Sequence, residues 1–257
     1  MADIEISTEN AVAVVTINRP DRRNAMTFAM WKELSRLFRE LGEHDAVRAI
    51  ILTGAGGNFS VGADISEFNA VRATIAQSVA YEQAVDACSE AIASAPKPTI
   101  AAVSGYCLGG GCHLSMACDF RFAGRSASFG IPAARLSIVY GLRSTQRLLA
   151  LVGLSRAKHI LFSAERFDAA EAVRIGFADV EADDPMQAAK EFAATLADNA
   201  PLSIAGAKYI INGLAMGNGA LDPDQVQAVI DRASDSEDYI EGRRAFAEKR
   251  RPAFKGR

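Results

Sequence analysis

Ser104-Gly105-Tyr106-Cys107-Leu108-Gly109-Gly110-Gly111-Cys112-His113-Leu114 is the stretch that decides the fold. Before it stands Thr99-Ile100-Ala101-Ala102-Val103, a short apolar run that reads as a buried strand. After it, residues 112–117 read as helix. A strand that ends in glycine and resumes as helix is an α/β junction, and glycine there permits unusual φ/ψ and close approach of a ligand. The first N–H groups of the helix have no partner within it, and they sit at the positive end of its dipole. Such groups suit an anion, or a carbonyl oxygen gaining negative charge. A glycine turn by itself is more simply a tight turn with no ligand.

A second glycine segment, Asn58-Phe59-Ser60-Val61-Gly62-Ala63-Asp64-Ile65, follows another predicted strand, Ala49-Ile50-Ile51-Leu52-Thr53. Upstream, Ala11-Val12-Ala13-Val14-Val15-Thr16-Ile17 reads as a strand, closed by the turn Asn18-Arg19-Pro20-Asp21. Thr27 can cap a helix to about Leu41, with Met30, Leu34, Leu37, Phe38 and Leu41 as its apolar stripe. Residues 74–94 read as helix, up to Pro96 and Pro98, and residues 119–123 as strand. Beyond Tyr140 the pattern is almost wholly helical, near residues 145–151, 155–162, 168–174, 185–198, 202–216, 222–233 and 236–248. The expectation is an α/β core over residues 1–195 and a helical C-terminal region over 196–257.

The chain has 257 residues, 49% hydrophobic and 23% charged, as expected for a globular protein with a sizeable core. Its net charge of −3 and pI near 5.7 give no general basic surface, so nucleic acid is not an expected partner. The start, Met1-Ala2-Asp3-Ile4-Glu5, lacks the basic and apolar regions of a signal peptide, and no apolar run approaches membrane-spanning length. A cytoplasmic protein away from membranes is expected. Cys88, Cys107, Cys112 and Cys118 fit reduced thiols, their spacing matches no zinc pattern, and no metal is expected. No Gly-Lys-Ser/Thr follows the triplet, so a Walker loop is excluded. Ser60 and Ser104 lack the Gly-x-Ser-x-Gly elbow of a serine nucleophile. No G-x-G-x-x-G follows the first strand, which disfavours a dinucleotide site.

Taken together, the two glycine segments resemble the signature of the crotonase (enoyl-CoA hydratase/isomerase) superfamily. Thr16-Ile17-Asn18-Arg19-Pro20 with Arg23-Asn24-Ala25-Met26 resembles its first strand and substrate loop. Ala127-Ser128-Phe129-Gly130, Thr145-Gln146-Arg147-Leu148, Val152-Gly153 and Glu241–Arg250 are similar to later family segments, so the likeness spans essentially the whole chain. The resemblance implies a spiral of ββα units, assembled as a homotrimer or homohexamer, whose C-terminal helices serve oligomerisation and pocket closure. It implies an acyl-CoA thioester as substrate, with coenzyme A carried by the substrate and no other cofactor. An oxyanion hole maps onto the N–H groups of Ala63 and Gly110. Substrate contacts map onto Arg23, Ala25, Asp64, Ile65, Leu108, Ala133 and Tyr140, and Lys249 onto a reach toward a neighbouring subunit's coenzyme A. A plain reading of Arg23 and Lys249 is a solvated surface cation.

Hydratases of this family use two glutamates, because adding water to a conjugated double bond needs a base for the water and an acid for the α-carbon. The family positions hold His113 and Ala133 instead. The usual glycine-rich run before Thr-Gln-Arg is replaced by Tyr140-Gly141-Leu142-Arg143-Ser144. His113 is the acid/base candidate left at a family position, against the plainer reading that it fills the vacated space. Helix-terminal charge should lower its pKa from about 6.5. Tyr140 reads as a wall of the acyl pocket, Arg143 as a rim cation, and Asp64 as a residue that orders its loop. The cysteines, His44 and His159 read as packing or surface residues. Two functions remain open: an acyl-CoA enzyme working through a thioester enolate, not a standard syn-hydratase, and a non-catalytic acyl-CoA-binding or scaffold protein.

Overall fold

A computed structural model describes residues 2–216 and 221–257. Its large sheet has six strands in the order β1-β2-β3-β4-β6-β9. They are β1 (Ile4–Glu9), β2 (Val12–Ile17), β3 (Ala49–Gly54), β4 (Thr99–Val103), β6 (Phe120–Gly124) and β9 (Val180–Ala182). Only β1 runs antiparallel to its neighbour. A small sheet carries β5 (Tyr106–Leu108), β7 (Ser128–Gly130) and β8 (Arg166–Asp168).

The helices are α1 (Phe28–Glu43), α2 (Phe68–Val71), α3 (Ile75–Ser94), α4 (Gly110–Ala117) and α5 (Leu142–Ser163). They continue with α6 (Ala169–Arg174), α7 (Pro185–Asp198), α8 (Pro201–Met216), α9 (Pro223–Ser234) and α10 (Glu237–Glu248). The chain alternates sheets as it winds: β4 in the large sheet, β5 in the small one, then α4; β6, β7, then α5. The preceding turn is similar, β3 then a single bridge from Ser60 to Cys107, then α3. Each turn therefore carries its chain from the large sheet through the small one into a helix, and the segments after β3 and β4 lie side by side.

Both faces of the parallel strands are covered, which is why they read as unbroken apolar runs. Side chains alternate across the sheet. Val15, Ile50, Leu52 and Ala101 enter the main core with Trp31, Leu34, Phe38 and Leu148. Val12, Ala49, Ile51, Ile100 and Phe122 face the other way, toward Ala189 and Ala193 of α7. Those two alanines are one helical turn apart and let α7 lie close against the strands.

Several local signals act where the sequence places them. The Thr27 hydroxyl accepts from Met30 N–H to begin α1, and Thr74 with Gln77 forms a capping box on α3. The two helices expected on either side of Val152-Gly153 are present, running together as α5 across a kink at Gly153, whose φ is +72°. The helix expected from residue 112 begins at Gly110, so His113 is its fourth residue and not its start. The Gly109 N–H is taken up by Gly130 O at 2.8 Å, and this tie to β7 lets the chain turn helical inside the triplet. The helical stretch after β9 is α7 to α10; α8 is fixed to the sheet by Lys208 Nζ, 2.7 Å from Asp119 Oδ2. No helix among the described residues is long and apolar enough to cross a membrane.

Candidate active site

The two glycine segments meet. A Cβ built on Gly62, at φ +88°, would lie 2.6 Å from Gly110 N and 2.8 Å from Leu108 O. Only glycine fits there, both for its backbone conformation and for its space. The contact brings the N–H groups of Ala63 and Gly110 to one locus. Among the described residues neither donates to a protein acceptor, whereas their neighbours do: Gly62 N to Ser60 Oγ, Asp64 N to Met26 O, Gly109 N to Gly130 O. Trp31 supports Gly110 from below, its ring carbons 3.2 Å from where a Cβ would stand, with its indole N–H donating to Tyr81 Oη at 3.0 Å. A pair of backbone N–H groups without a protein acceptor can take one carbonyl oxygen and stabilise charge on it.

The loop that carries Ala63 is ordered by Asp64. Its buried carboxylate accepts from Ser66 Oγ at 2.6 Å, Ser66 N at 3.1 Å and Arg19 Nη1 at 3.0 Å. The Ser66 hydroxyl first, then Arg19, hold it below the usual carboxylate range despite burial. Arg19 Nη1 also donates to Ala25 O at 2.6 Å and so ties the 19–26 loop to the 62–64 loop. Ala25 is buried, Ile65 is 72% exposed, and Leu108 is half-buried with its N–H donating to Ser60 O. Arg23, at φ +49°, lies exposed with its guanidinium 5.4 Å over the Tyr106 ring, and Arg166 lies 5.2 Å from the same ring. Lys249 is exposed and caps α10 in the left-handed conformation.

Behind Gly110 lies a polar cluster. His113 is 4% exposed, with Nδ1 3.1 Å and Nε2 3.4 Å from Ser144 Oγ. Burial foremost, and the Arg147 charge second, push its pKa down to about 3. The sequence reading assigned the depression to the helix terminus; burial and Arg147 are the causes here. Arg147 is itself buried and held by Ser89 Oγ at 3.0 Å and Glu90 Oε2 at 3.1 Å. Tyr140 stands edge-on to His113, ring centres 6.0 Å apart, and donates its hydroxyl to Gly109 O at 3.2 Å. Burial raises its phenol well above the ordinary value. Arg143 is half-buried on the first turn of α5. Ala133 is buried in a 3₁₀ turn over Pro132–Leu136. Asp86 of α3 faces this region, its carboxyl raised by burial against the lowering pull of Arg147 and Arg143.

Sequence reasoning assigned no role to Ser144, Arg147, Asp86 or Trp31. Ser144 lies in the segment already marked as unusual, and Trp31 beside Met30 is the single tryptophan of the chain, which was the available signal. The four cysteines are buried and free. His44 Nδ1 accepts from Ala46 N–H just beyond α1, and His159 lies exposed 3.4 Å from Glu165. Among the described residues no three His, Cys, Asp or Glu side chains gather to hold a metal.

Comparison with known proteins points one way. The family described as Enoyl-CoA hydratase/isomerase matches residues 7–257. A short-chain-enoyl-CoA hydratase of Clostridium acetobutylicum is 39% identical over 213 residues, 82% of this chain and 81% of that one. A crystal structure from Magnetospirillum magneticum, described as an enoyl-CoA hydratase/carnithine racemase, superposes with a TM-score of 0.93 at 34% identity, covering 100% of this chain and 97% of that one. Enoyl-CoA hydratase from Bacillus anthracis superposes at 0.89 with 32% identity, covering both chains completely.

Proposed function

The chain belongs to the enoyl-CoA hydratase/isomerase family and has its crotonase-like α/β fold; from that premise we propose that Ala63 and Gly110 form an oxyanion hole for the thioester carbonyl of an acyl-CoA. The observation that carries this reading is the pair of N–H groups, brought together by the Gly62 contact and left without acceptors while those of Gly62, Asp64 and Gly109 beside them are satisfied. Charge that develops on the thioester oxygen as an enolate forms is what such donors stabilise, and they act most strongly in the transition state. Coenzyme A enters as part of the substrate, and the chain needs no other cofactor.

The adenine and phosphates approach along Arg23, Ala25, Asp64 and Ile65, and the acyl group along Leu108, Ala133 and Tyr140. Support comes from the position of Arg23, exposed on the loop that Arg19 ties to the Ala63 loop. Residues 1–195 form the spiral core. Residues 196–257 close the pocket and join subunits in a trimer or hexamer, a role favoured by the exposed Ile211, Leu214, Ile240 and Phe246 on α8 and α10. The protein works in the cytoplasm.

The reaction is not standard syn-hydration. Ala133 offers no proton-transfer group, and a histidine with pKa near 3 is neutral at working pH and a poor base. His113 then acts as a neutral hydrogen-bonding group linked to Ser144, and the proton-transfer group is the substrate itself, water, or a carboxylate such as Asp86. The second reading, an acyl-CoA-binding scaffold without turnover, draws on the same burial of His113. Incubation with a panel of acyl-CoAs in D₂O, followed by mass spectrometry, separates the two. An enzyme exchanges the α-proton or forms product with at least one thioester, and a scaffold binds without exchange. Calorimetry showing no binding of any acyl-CoA would end both.

A further inference from the structure

The C=O of Gly109 and the N–H of Gly110 belong to one peptide unit. Its oxygen accepts from the Tyr140 hydroxyl at 3.2 Å and from the His113 N–H at 3.1 Å. Its preceding N–H, that of Gly109, is fixed on Gly130 O at 2.8 Å. Gly109 itself sits at φ +50°, ψ −111°, outside the regular regions, so the orientation of this peptide is set by the first bond of α4, from His113 N–H, together with its other partners. Two of those partners are main-chain groups. The third is a side chain from the segment before α5, where the family's glycine-rich run is replaced.

Resting on the reading of Ala63 and Gly110 given above, we propose that Tyr140 is a positioning residue for the oxyanion hole, its hydroxyl holding and polarising the Gly109–Gly110 peptide. A donor on a peptide oxygen draws electron density toward it and makes the N–H across the same unit more acidic. Hydrogen bonds coupled in this way strengthen one another by roughly 10–30%. At 3.2 Å the Tyr140 bond is long for a hydroxyl donor, and it strengthens as Gly110 N–H begins to carry an oxyanion. The hydroxyl can do this because its ring is held against His113 and its phenol stays protonated. Tyr140 lies in the same stretch of chain as the exposed Leu136, Val139 and Leu142, so an acyl group resting on that segment is coupled through one hydroxyl to the strength of the carbonyl grip.

The test uses the full chain and 4-(dimethylamino)cinnamoyl-CoA, whose absorption band moves to longer wavelength as its carbonyl is polarised. The parent protein should bind it and shift the band. At saturating probe, Tyr140→Phe should lose at least the roughly 10–30% of the shift expected for one coupled bond. Incorporation of 3-fluorotyrosine at position 140 makes the phenol a stronger donor and should enlarge the shift; this arm decides if the Phe variant does not fold. An identical shift in the parent and in every folded variant overturns the role of Tyr140 while leaving the oxyanion hole standing. A parent that binds the probe without any shift overturns the oxyanion reading, and this inference with it.

Discussion

Ser144 Oγ lies 3.1 Å from His113 Nδ1, in a cluster closed by Tyr140 on one side and Arg147 on the other. His113 is therefore a neutral imidazole anchored to a hydroxyl. Burial in front of a guanidinium makes its protonation costly.

One consequence concerns the pH profile. With His113 near pKa 3, α-proton exchange on a responsive acyl-CoA should show no limb from this residue between about pH 5 and 8. His113→Gln, which keeps a hydrogen-bonding group, should leave the profile's shape unchanged. A limb near pH 6.5 that disappears in the glutamine variant would restore imidazolium chemistry to the site.

Acid stability follows from the same shift, and its sign is fixed. An unfolded histidine binds its proton near pH 6.5, whereas folded His113 stays neutral down to about 3. Between those values the unfolded chain binds more protons, so stability rises with pH across the window and is lost as pH falls through it. The contribution is at most about 1.4 kcal/mol per pH unit. Urea titrations from pH 6.5 to 4 should show a shallower decline for His113→Gln than for the parent; parallel curves would place the imidazole in a wetter environment.

Hydration of crotonyl-CoA should run at least about 10²–10⁴ below that of an ordinary hydratase, the typical cost of a missing acid/base group. The double variant His113→Glu/Ala133→Glu should raise it at least about tenfold, and neither single variant should, since paired groups act as a unit. Loss of enoyl absorbance is the readout. No gain in the double variant would mean that Tyr140 and Ser144 have reshaped the acyl pocket for another substrate.

Gly62→Ala should be damaging for a reason that a second glycine isolates. Gly57 has a similar positive φ, +80°, but nothing within 4 Å of a built Cβ. Gly57→Ala therefore carries conformational strain alone, about 1–3 kcal/mol. Gly62→Ala adds the 2.6 Å clash with Gly110 N and should cost more. It should also weaken acyl-CoA binding more than about tenfold, while Gly57→Ala leaves binding near the parent value. Denaturant unfolding and calorimetry measure both, and equal effects from the two variants would remove the steric argument.

The central strands and the long helices were legible because each leaves a pattern over many residues. Ile50, Ile51 and Leu52 announce a strand covered on both faces, and Thr27 announces a helix start. The strand β1 was not read: five of its six residues are exposed, so it carries no apolar signal. The small sheet and β9 escaped as well, since runs of three residues are too short to show a period. The two glycine segments were visible as segments, but their contact through Gly62 is a product of the spiral and appears in no local window. The His113 cluster was half legible. The histidine stood out by position, whereas its pKa depends on burial in the folded chain and on Arg147, some thirty residues away.

The N–H groups of Ala63 and Gly110 belong to the main chain, and that changes what mutation can reach. Replacing a side chain at either position leaves the donor itself in place, unless proline is introduced or the loop is deformed. His113 and Asp86 nearby are, by contrast, side chains that a single codon can rewrite. Side chains on this arrangement, those at positions 113 and 133 included, can be exchanged one residue at a time while the two main-chain donors are inherited unchanged.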